Sequence, residues 1–157
     1  MVNADVQVLA QSLLRLHWTM ATAESCTGGL IAAQCTDLAG SSAWFDRGFV
    51  TYSNAAKTEM LGVNADLISQ HGAVSESVAL AMALGACYRS RAQVGIAVTG
   101  IAGPSGGSTD KPVGTVWLAW CIQGVACAER HLFTGDRAQI RQESARVALH
   151  GLLRRLP

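Results

Sequence analysis

A serine between a strand-like segment and an alanine-rich helical segment is the first candidate for chemistry. Ser25 lies in TAESCTGG (Thr22–Gly29), just before two glycines that precede the helical run. The first N–H groups of a helix have no partner within it and carry partial positive charge. A nucleophile placed there would have donors for an oxyanion beside it. The G-x-S-x-G pattern of hydrolase elbows is absent, and capping of the helix by Ser25 or Thr27 is the alternative.

Lysine is rare in this chain, so the position of each lysine is informative. Ten arginines carry most of the positive charge, against two lysines, Lys57 and Lys111. Lys57 follows Asn54, the predicted cap of a short helix, by three residues. The helix dipole disfavours an ammonium in the first turn, so we expect a lowered pKa at Lys57, as a general base needs. The alternative is a solvated lysine at a helix start.

A glycine-rich segment, TGIAGPSGGS (Thr99–Ser108), directly follows an apolar strand-like run. Binding loops in α/β folds lie at the carboxyl ends of strands, and glycines allow backbone N–H groups to turn toward an anion. Thr99, Gly100 and Gly103 are the candidate contacts in this segment. It matches neither a Walker A loop nor a dinucleotide fingerprint, so an ordinary surface loop is the alternative.

Two arginines near the start of the last predicted helix form a further candidate site. Arg137 and Arg141 are four residues apart and share one helix face, at the end where the dipole disfavours cations. A bound phosphate or carboxylate would explain the pair, and Arg141 is the preferred phosphate contact. The alternative is a pair that is solvated or bonded to Asp46 or Glu143.

Other constellations are weaker. Cys26 adjoins Ser25 and is a rival nucleophile, although a free cysteine is more often a buried apolar residue. The four histidines show no metal-ligand spacing, and Glu24 looks isolated from other carboxylates. We therefore expect neither a metal centre nor an organic cofactor.

Composition bounds the class of protein. The 157 residues suit a single domain over residues 1–157, and half of them are apolar. A formal net charge of +1 argues against a nucleic-acid partner. No apolar run is long enough to span a bilayer, and no signal-peptide pattern is present. The odd number of cysteines, five, without C-x-x-C, fits reduced thiols, so we expect a cytoplasmic protein. The oligomeric state is open, a homo-oligomer being one alternative.

Helical and strand patterns alternate along the chain and predict a single α/β/α sandwich on a mixed, mostly parallel sheet. The strand over 114–122 is apolar on both faces, which implies helices on both sides. The helix over 75–90 is apolar nearly all round, which predicts burial between layers. Gln123-Gly124 predicts a tight hairpin turn, and Asp136 with Gln139 predicts a capping box. The other predicted helices cover 4–17, 28–38, 54–61, 64–71 and a C-terminal segment; the other strands cover 19–23, 47–53, 93–99 and 125–133.

Six ordered segments together resemble the CinA C-terminal domain family. They are TAESCTGG, AGSSAWFDRGFVTYSNAAK, QHGAVSE, TGIAGPSGG, KPVGTVW and FTGDR. The resemblance extends over residues 5 to 155. It implies an α/β/α fold and hydrolysis of the amide of nicotinamide mononucleotide to nicotinate mononucleotide and ammonia, without metal or cofactor.

By position, Ser25 resembles the family's nucleophile, and Tyr52 and Lys57 resemble its proton-handling partners. N–H groups near Cys26 to Gly29 are then expected to hold the oxyanion. Two alternatives stay open: a Ser/Lys hydrolase of another amide, and a non-catalytic nucleotide- or partner-binding domain. The full set of expected substrate-binding residues is Cys26, Thr27, Gly28, Gly29, Asn54, Thr99, Gly100, Gly103, Arg137 and Arg141.

Overall fold

The apolar runs of the sequence become the strands of one sheet in the computed structural model, which describes residues 3–157. The strands are β1 (Met20–Glu24), β2 (Phe45–Val50), β3 (Val94–Gly100), β4 (Thr115–Ile122) and β5 (Val125–Leu132). Their order across the sheet is β2-β1-β3-β4-β5. β1 pairs in parallel with β2 and β3, whereas β4 is antiparallel to both β3 and β5. The predicted mixed, mostly parallel sheet is therefore confirmed.

Helices cover both faces of this sheet, as the two apolar faces of β4 require. The helices of the described chain are α1 (Ala4–Leu16), α2 (Leu30–Thr36), α3 (Asn54–Leu61), α4 (Ala65–His71), α5 (Glu76–Tyr88) and α6 (Arg137–Leu153). One core cluster joins the sheet to α1, α2 and α6, and the other joins it to α3, α4 and α5. Within residues 3–157, no helix has the length and apolar character needed to cross a membrane.

Side-chain size differs between the two faces of β3. Val94, Ile96 and Val98 point into the cluster with α1 and α6, whereas Ala97 belongs to the cluster with α5. A Cβ added at Gly95 would lie 2.9 Å from the sulfur of Cys87 on α5. Small residues on this face therefore let α5 lie close against the sheet.

Three sequence expectations about helices need correction. The helix expected to be buried between layers, α5, packs against the sheet and against α3 and α4, but one side stays exposed, where Leu84 is 38% and Tyr88 is 91% exposed. The helix expected from Gly28 begins at Leu30, because Gly28 and Gly29 have positive φ values of 59° and 102°. Ser53, and not Asn54, caps α3, since its hydroxyl accepts from the N–H of Ala56 at 3.0 Å.

Local signals of other turns and caps are confirmed. Gln123 and Gly124 both have positive φ, 49° and 84°, as a tight hairpin turn with a right-handed twist requires. The capping box of Asp136 and Gln139 at the start of α6 is complete. β2 ends three residues earlier than predicted, at Val50, and residues 51–53 turn away from the sheet to lead into α3.

Candidate active site

The carboxyl ends of the three parallel strands β1, β2 and β3 surround one cavity of about 220 Å³. Ser25 follows β1, Tyr52 lies just beyond β2, and Thr99 is near the end of β3. A crevice at this edge of the sheet is the usual ligand site of α/β folds. The remaining lining residues come from the last residue of β3, from α3 and α6, and from the segments that follow β1, α4 and β3: Cys26, Asn54, Lys57, Ala73, Val74, Gly100, Ala102 and Arg137.

Ser25 and Lys57, 32 residues apart in sequence, form a hydrogen-bonded pair in this cavity. The Nζ of Lys57 lies 3.0 Å from the Oγ of Ser25. It also donates to the carbonyl oxygens of Thr51 at 3.1 Å and Tyr52 at 3.3 Å. A neutral amine has two N–H groups and one lone pair. When the amine is neutral and its two N–H groups bond to the two carbonyls, its lone pair is left to accept the proton of the Ser25 hydroxyl, which is the arrangement that a general base requires.

The electrostatic environment of Lys57 also suits a base. Its side chain is 1% exposed, and burial lowers the pKa of the ammonium from its ordinary value. A lowered pKa was expected from the dipole of α3, in which Lys57 is the fourth residue. The direction is as expected, but desolvation is the main cause.

Cys26 is a poor rival for the nucleophile. Burial raises the pKa of its thiol to about 11, so at neutral pH the thiol holds its proton and lacks the reactive thiolate form. Among the described residues, the amine of Lys57 hydrogen-bonds to the side chain of Ser25 and not to that of Cys26. The geometry thus selects the hydroxyl of Ser25 over the neighbouring thiol.

Capping of α2 is carried out by a residue that sequence reasoning passed over. The carboxylate of Glu24 accepts from the N–H groups of Ile31 at 2.9 Å and Ala32 at 3.0 Å. It also accepts from the hydroxyl of Thr27 at 2.7 Å. Neither Ser25 nor Thr27 caps the helix directly, and the Ser25 hydroxyl is left for Lys57. An acidic residue shortly before a helix start was the available signal.

Tyr52 contributes its backbone to the pair and its side chain to a different contact. Its carbonyl oxygen lies 3.5 Å from the Oγ of Ser25. The residue as a whole is 61% exposed. Its phenol oxygen accepts a hydrogen bond from Nη2 of Arg137 at 3.1 Å. The structure therefore brings the Tyr52 hydroxyl to an arginine and not to Lys57, and the proton-handling role of that hydroxyl stays a prediction.

The turn after Ser25 offers backbone donors. Gly28 donates its N–H to the carbonyl of Ser25 at 3.0 Å, so this group is not free for an oxyanion as expected. Within residues 3–157, the N–H groups of Cys26, Thr27 and Gly29 have no backbone or side-chain acceptor outside their own residue. Cys26 also lines the cavity, which makes its N–H the foremost candidate oxyanion donor.

The two arginines of α6 have separate tasks. Arg137 lines the cavity and donates to Tyr52 and to the carbonyl of Gly103, the latter at 2.8 Å. Arg141 instead donates to the carbonyls of Cys26 and Thr27, both at 3.0 Å. Arg141, which the sequence analysis preferred as a phosphate contact, is thus not among the residues that line the cavity, whereas Arg137 is.

The structure also shows the contacts of Thr99 and of the two carboxylates that were considered as partners of the arginines. The hydroxyl of Thr99 donates to the carbonyl of Ala73 at 2.9 Å, which ties the end of β3 to the loop before α5. Asp46 pairs with Arg47, and Glu143 pairs with Arg146, so neither neutralises the arginines of the site. No group of three or more His, Cys, Asp or Glu side chains in the described chain could hold a metal ion.

Comparison with known proteins gives concordant matches over nearly the whole chain. Residues 3–156 match the family model described as the CinA C-terminal domain. Nicotinamide-nucleotide amidohydrolase PncC of Escherichia coli K12 is 51% identical over 145 residues, or 92% of this chain and 88% of that protein. The protein of the same name from Pseudomonas putida is 52% identical over 145 residues, or 92% and 91%. The crystal structure of competence damage-inducible protein A from Klebsiella pneumoniae superposes with a TM-score of 0.94 at 39% identity, covering 97% of this chain and 94% of that one.

Proposed function

Since the chain belongs to the CinA C-terminal domain family, we propose that it is a nicotinamide-nucleotide amidohydrolase. It hydrolyses the carboxamide of nicotinamide mononucleotide to give nicotinate mononucleotide and ammonia. The observation that carries this conclusion is the 3.0 Å contact between the Ser25 hydroxyl and the buried amine of Lys57. Relatives about half identical to this chain, named for this reaction, support the same conclusion.

Acylation follows from the geometry of the pair. As the Oγ of Ser25 attacks the carboxamide carbon, its proton passes to the neutral amine of Lys57. The carbonyl oxygen becomes an oxyanion, which the N–H of Cys26 stabilises. The ammonium of Lys57 then gives its proton to the leaving nitrogen. The C–N bond breaks, ammonia departs, and an ester joins the substrate to Ser25.

Deacylation reverses the proton transfers. A water molecule gives a proton to Lys57 and attacks the ester carbon through a second oxyanion. When this intermediate collapses, the bond to Ser25 breaks and the serine oxygen takes the proton back from Lys57. The product acid releases its remaining proton to solvent, and nicotinate mononucleotide leaves as the carboxylate. Lys57 is neutral at the start and at the end of the cycle.

Arg137 is our candidate for the contact with the substrate's 5′-phosphate. Its guanidinium is at the cavity wall and uses one N–H of each terminal nitrogen for Gly103 and Tyr52. A guanidinium has five N–H donors, so further donors are free for an anion. Asn54, Thr99 and Gly100 line the same cavity as further candidate contacts.

The direct test is release of ammonia from nicotinamide mononucleotide by the purified chain, with nicotinate mononucleotide measured as the second product. Ser25→Ala should abolish the release. Ser42→Ala, which changes an exposed serine that does not line the cavity, should not. Hydrolysis of other amides but not of the nucleotide would favour a Ser/Lys hydrolase of different specificity. Binding of the nucleotide without release of ammonia would favour a non-catalytic binding domain.

Three broader statements belong to the same proposal. Residues 1–157 act as one amidohydrolase domain. The reaction takes place in the cytoplasm, which the five free cysteines support. The partner is the small-molecule substrate, and a homo-oligomer is one alternative for the assembled state.

A further inference from the structure

The turn that carries the nucleophile is held from one side by a single guanidinium. The turn runs from Ser25 to Gly28 and is closed by the bond from Gly28 N–H to the Ser25 carbonyl. Its two central residues, Cys26 and Thr27, direct their carbonyls at Arg141, which donates through Nε and Nη2 at 3.0 Å each. One planar group on a neighbouring helix thus fixes two successive peptide planes.

A buried carboxylate holds the same turn from the other side. Glu24, directly before the nucleophile, is 1% exposed. It accepts from the side chain of Thr27 and from the first N–H groups of α2, and Thr22 donates to it at 3.3 Å. One carboxylate therefore binds a residue before Ser25 (Thr22), a residue after it (Thr27) and the start of α2.

These contacts determine where the free N–H groups of the turn point. Peptide units are planar and trans, so an N–H points opposite to the carbonyl of the preceding residue. The N–H of Cys26 is fixed by the closed turn, and that of Thr27 points away from Arg141. Neither Glu24 nor Arg141 lines the cavity, so their effect on the donors is exerted through the turn.

We propose that Glu24 and Arg141 are positioning residues that clamp the nucleophile turn and aim its oxyanion donors. The inference rests on the proposed amidohydrolase function. It assigns Arg141 a role in the transition state, through the turn, in place of the substrate contact that its position in the sequence suggested. Loss of the clamp should therefore lower kcat and leave KM little changed.

The test compares Arg141→Met with the matched control Arg146→Met, an exposed arginine on the same helix. Both nicotinamide mononucleotide and nicotinamide riboside serve as substrates. We expect Arg141→Met to lower kcat roughly 100-fold or more on both, the scale of one lost oxyanion donor, with affinity for nicotinate mononucleotide retained. Arg141→Lys should recover only part, because an ammonium lacks the planar fork. A rise in KM confined to the nucleotide, or unchanged kcat, would overturn the proposal.

Glu24→Gln, paired with Thr22→Val as its control, tests the other side. The N–H groups of Ile31 and Ala32 bond to different oxygens of Glu24. Glu24→Gln keeps only one of these acceptors and places an NH₂ against the other N–H, so kcat should fall far more than in Thr22→Val. If Glu24→Gln does not fold, labelling of Ser25 by a sulfonyl fluoride in Arg141→Met decides the question. Slower labelling than in the wild type supports the clamp, and equal labelling rejects it. This readout needs no amide substrate, whereas an inactive but label-competent wild type would reject the proposed function alone.

Discussion

A lysine can serve as a base at this site because the protein gives its amine a fixed direction and removes it from water. The carbonyls of Thr51 and Tyr52 hold two of its N–H groups, and Ser25 is the remaining partner. Burial disfavours the charged form. Burial has the opposite effect on the pKa of Cys26: it raises that pKa and keeps the thiol protonated. Burial thus favours the neutral form of both groups, which makes the Lys57 amine a base and leaves the Cys26 thiol unreactive.

Replacement of this base should remove most of the activity. We expect Lys57→Met to lower turnover roughly 100-fold or more, the scale of general-base catalysis. The matched control is Lys111→Met, which changes the other lysine, whose amine bonds to the carbonyl of His71. Ammonia release under saturating substrate measures both. Wild-type turnover in Lys57→Met would contradict the assignment.

The pH profile provides an independent measure of the same group. The folded-state pKa of Lys57 is lowered, so the neutral, active amine gains population as pH rises through that lowered value. Turnover should therefore rise with pH and level off at an apparent pKa below the ordinary lysine value of about 10.4. In Lys57→Met this limb should vanish from the residual activity. A profile that is the same in both proteins would assign the titration to another group.

At the scale of elements, α6 shows how one helix face can supply two unlike functions. Arg137 at its first residue reaches the cavity, and Arg141 one turn later reaches the nucleophile turn. The i, i+4 spacing predicted a shared face. It could not assign the tasks, because those depend on which loop of the sheet edge lies opposite each turn of the helix.

Arg137 should therefore be the arginine that distinguishes nucleotide from riboside. Removal of a charge-assisted contact with the phosphate is expected to cost about 1.5–3 kcal/mol, so Arg137→Met should raise KM for the nucleotide roughly tenfold or more. KM for the riboside should change much less. Initial rates over a range of both substrates, with Arg146→Met as control, measure the effect. Equal changes on the two substrates would remove Arg137 from the phosphate site.

Elements defined by neighbouring residues could be predicted, and elements defined by distant contacts could not. The capping box of Asp136 and Gln139 was predicted correctly, because its two side chains act on backbone groups within three residues. The start of α2 was displaced by two residues. There the cap is Glu24, whose carboxylate reaches across six intervening residues to Ile31, and two glycines with positive φ occupy the gap.

The candidate site shows the same division. Motifs identified Ser25 and Lys57, but their 3.0 Å contact depends on β1 and β2 ending side by side in the sheet. The clamp on the turn was not predicted, because Arg141 lies 115 residues from the carbonyl that it holds. Sequence alone names residue types suited to a reaction. The parallel pairing of strands decides which of them meet.

At the scale of the whole molecule, the distance between layers depends on small side chains on one face of the sheet. In the α5 layer, Ala21, Ala23 and Ala97 are fully buried among β1 and β3. Gly95 lies in this same layer, beneath the sulfur of Cys87. The opposite face of these strands carries larger apolar residues, so the two faces of the sheet differ in side-chain size.

This packing predicts that a single methyl group beneath α5 is costly. A Cβ at Gly95 would meet the Cys87 sulfur at 2.9 Å and the Ala83 carbonyl at 3.2 Å. Gly95→Ala should therefore lower the free energy of unfolding by about 1–3 kcal/mol, as overpacked cores do. Denaturant unfolding measures it. Because Cys87→Ala removes the sulfur, Gly95→Ala should cost less in that background than in the wild type, by a coupling of roughly 0.5 kcal/mol or more. Strictly additive effects would show that α5 moves away freely, and that the small residues do not fix the spacing of the layers.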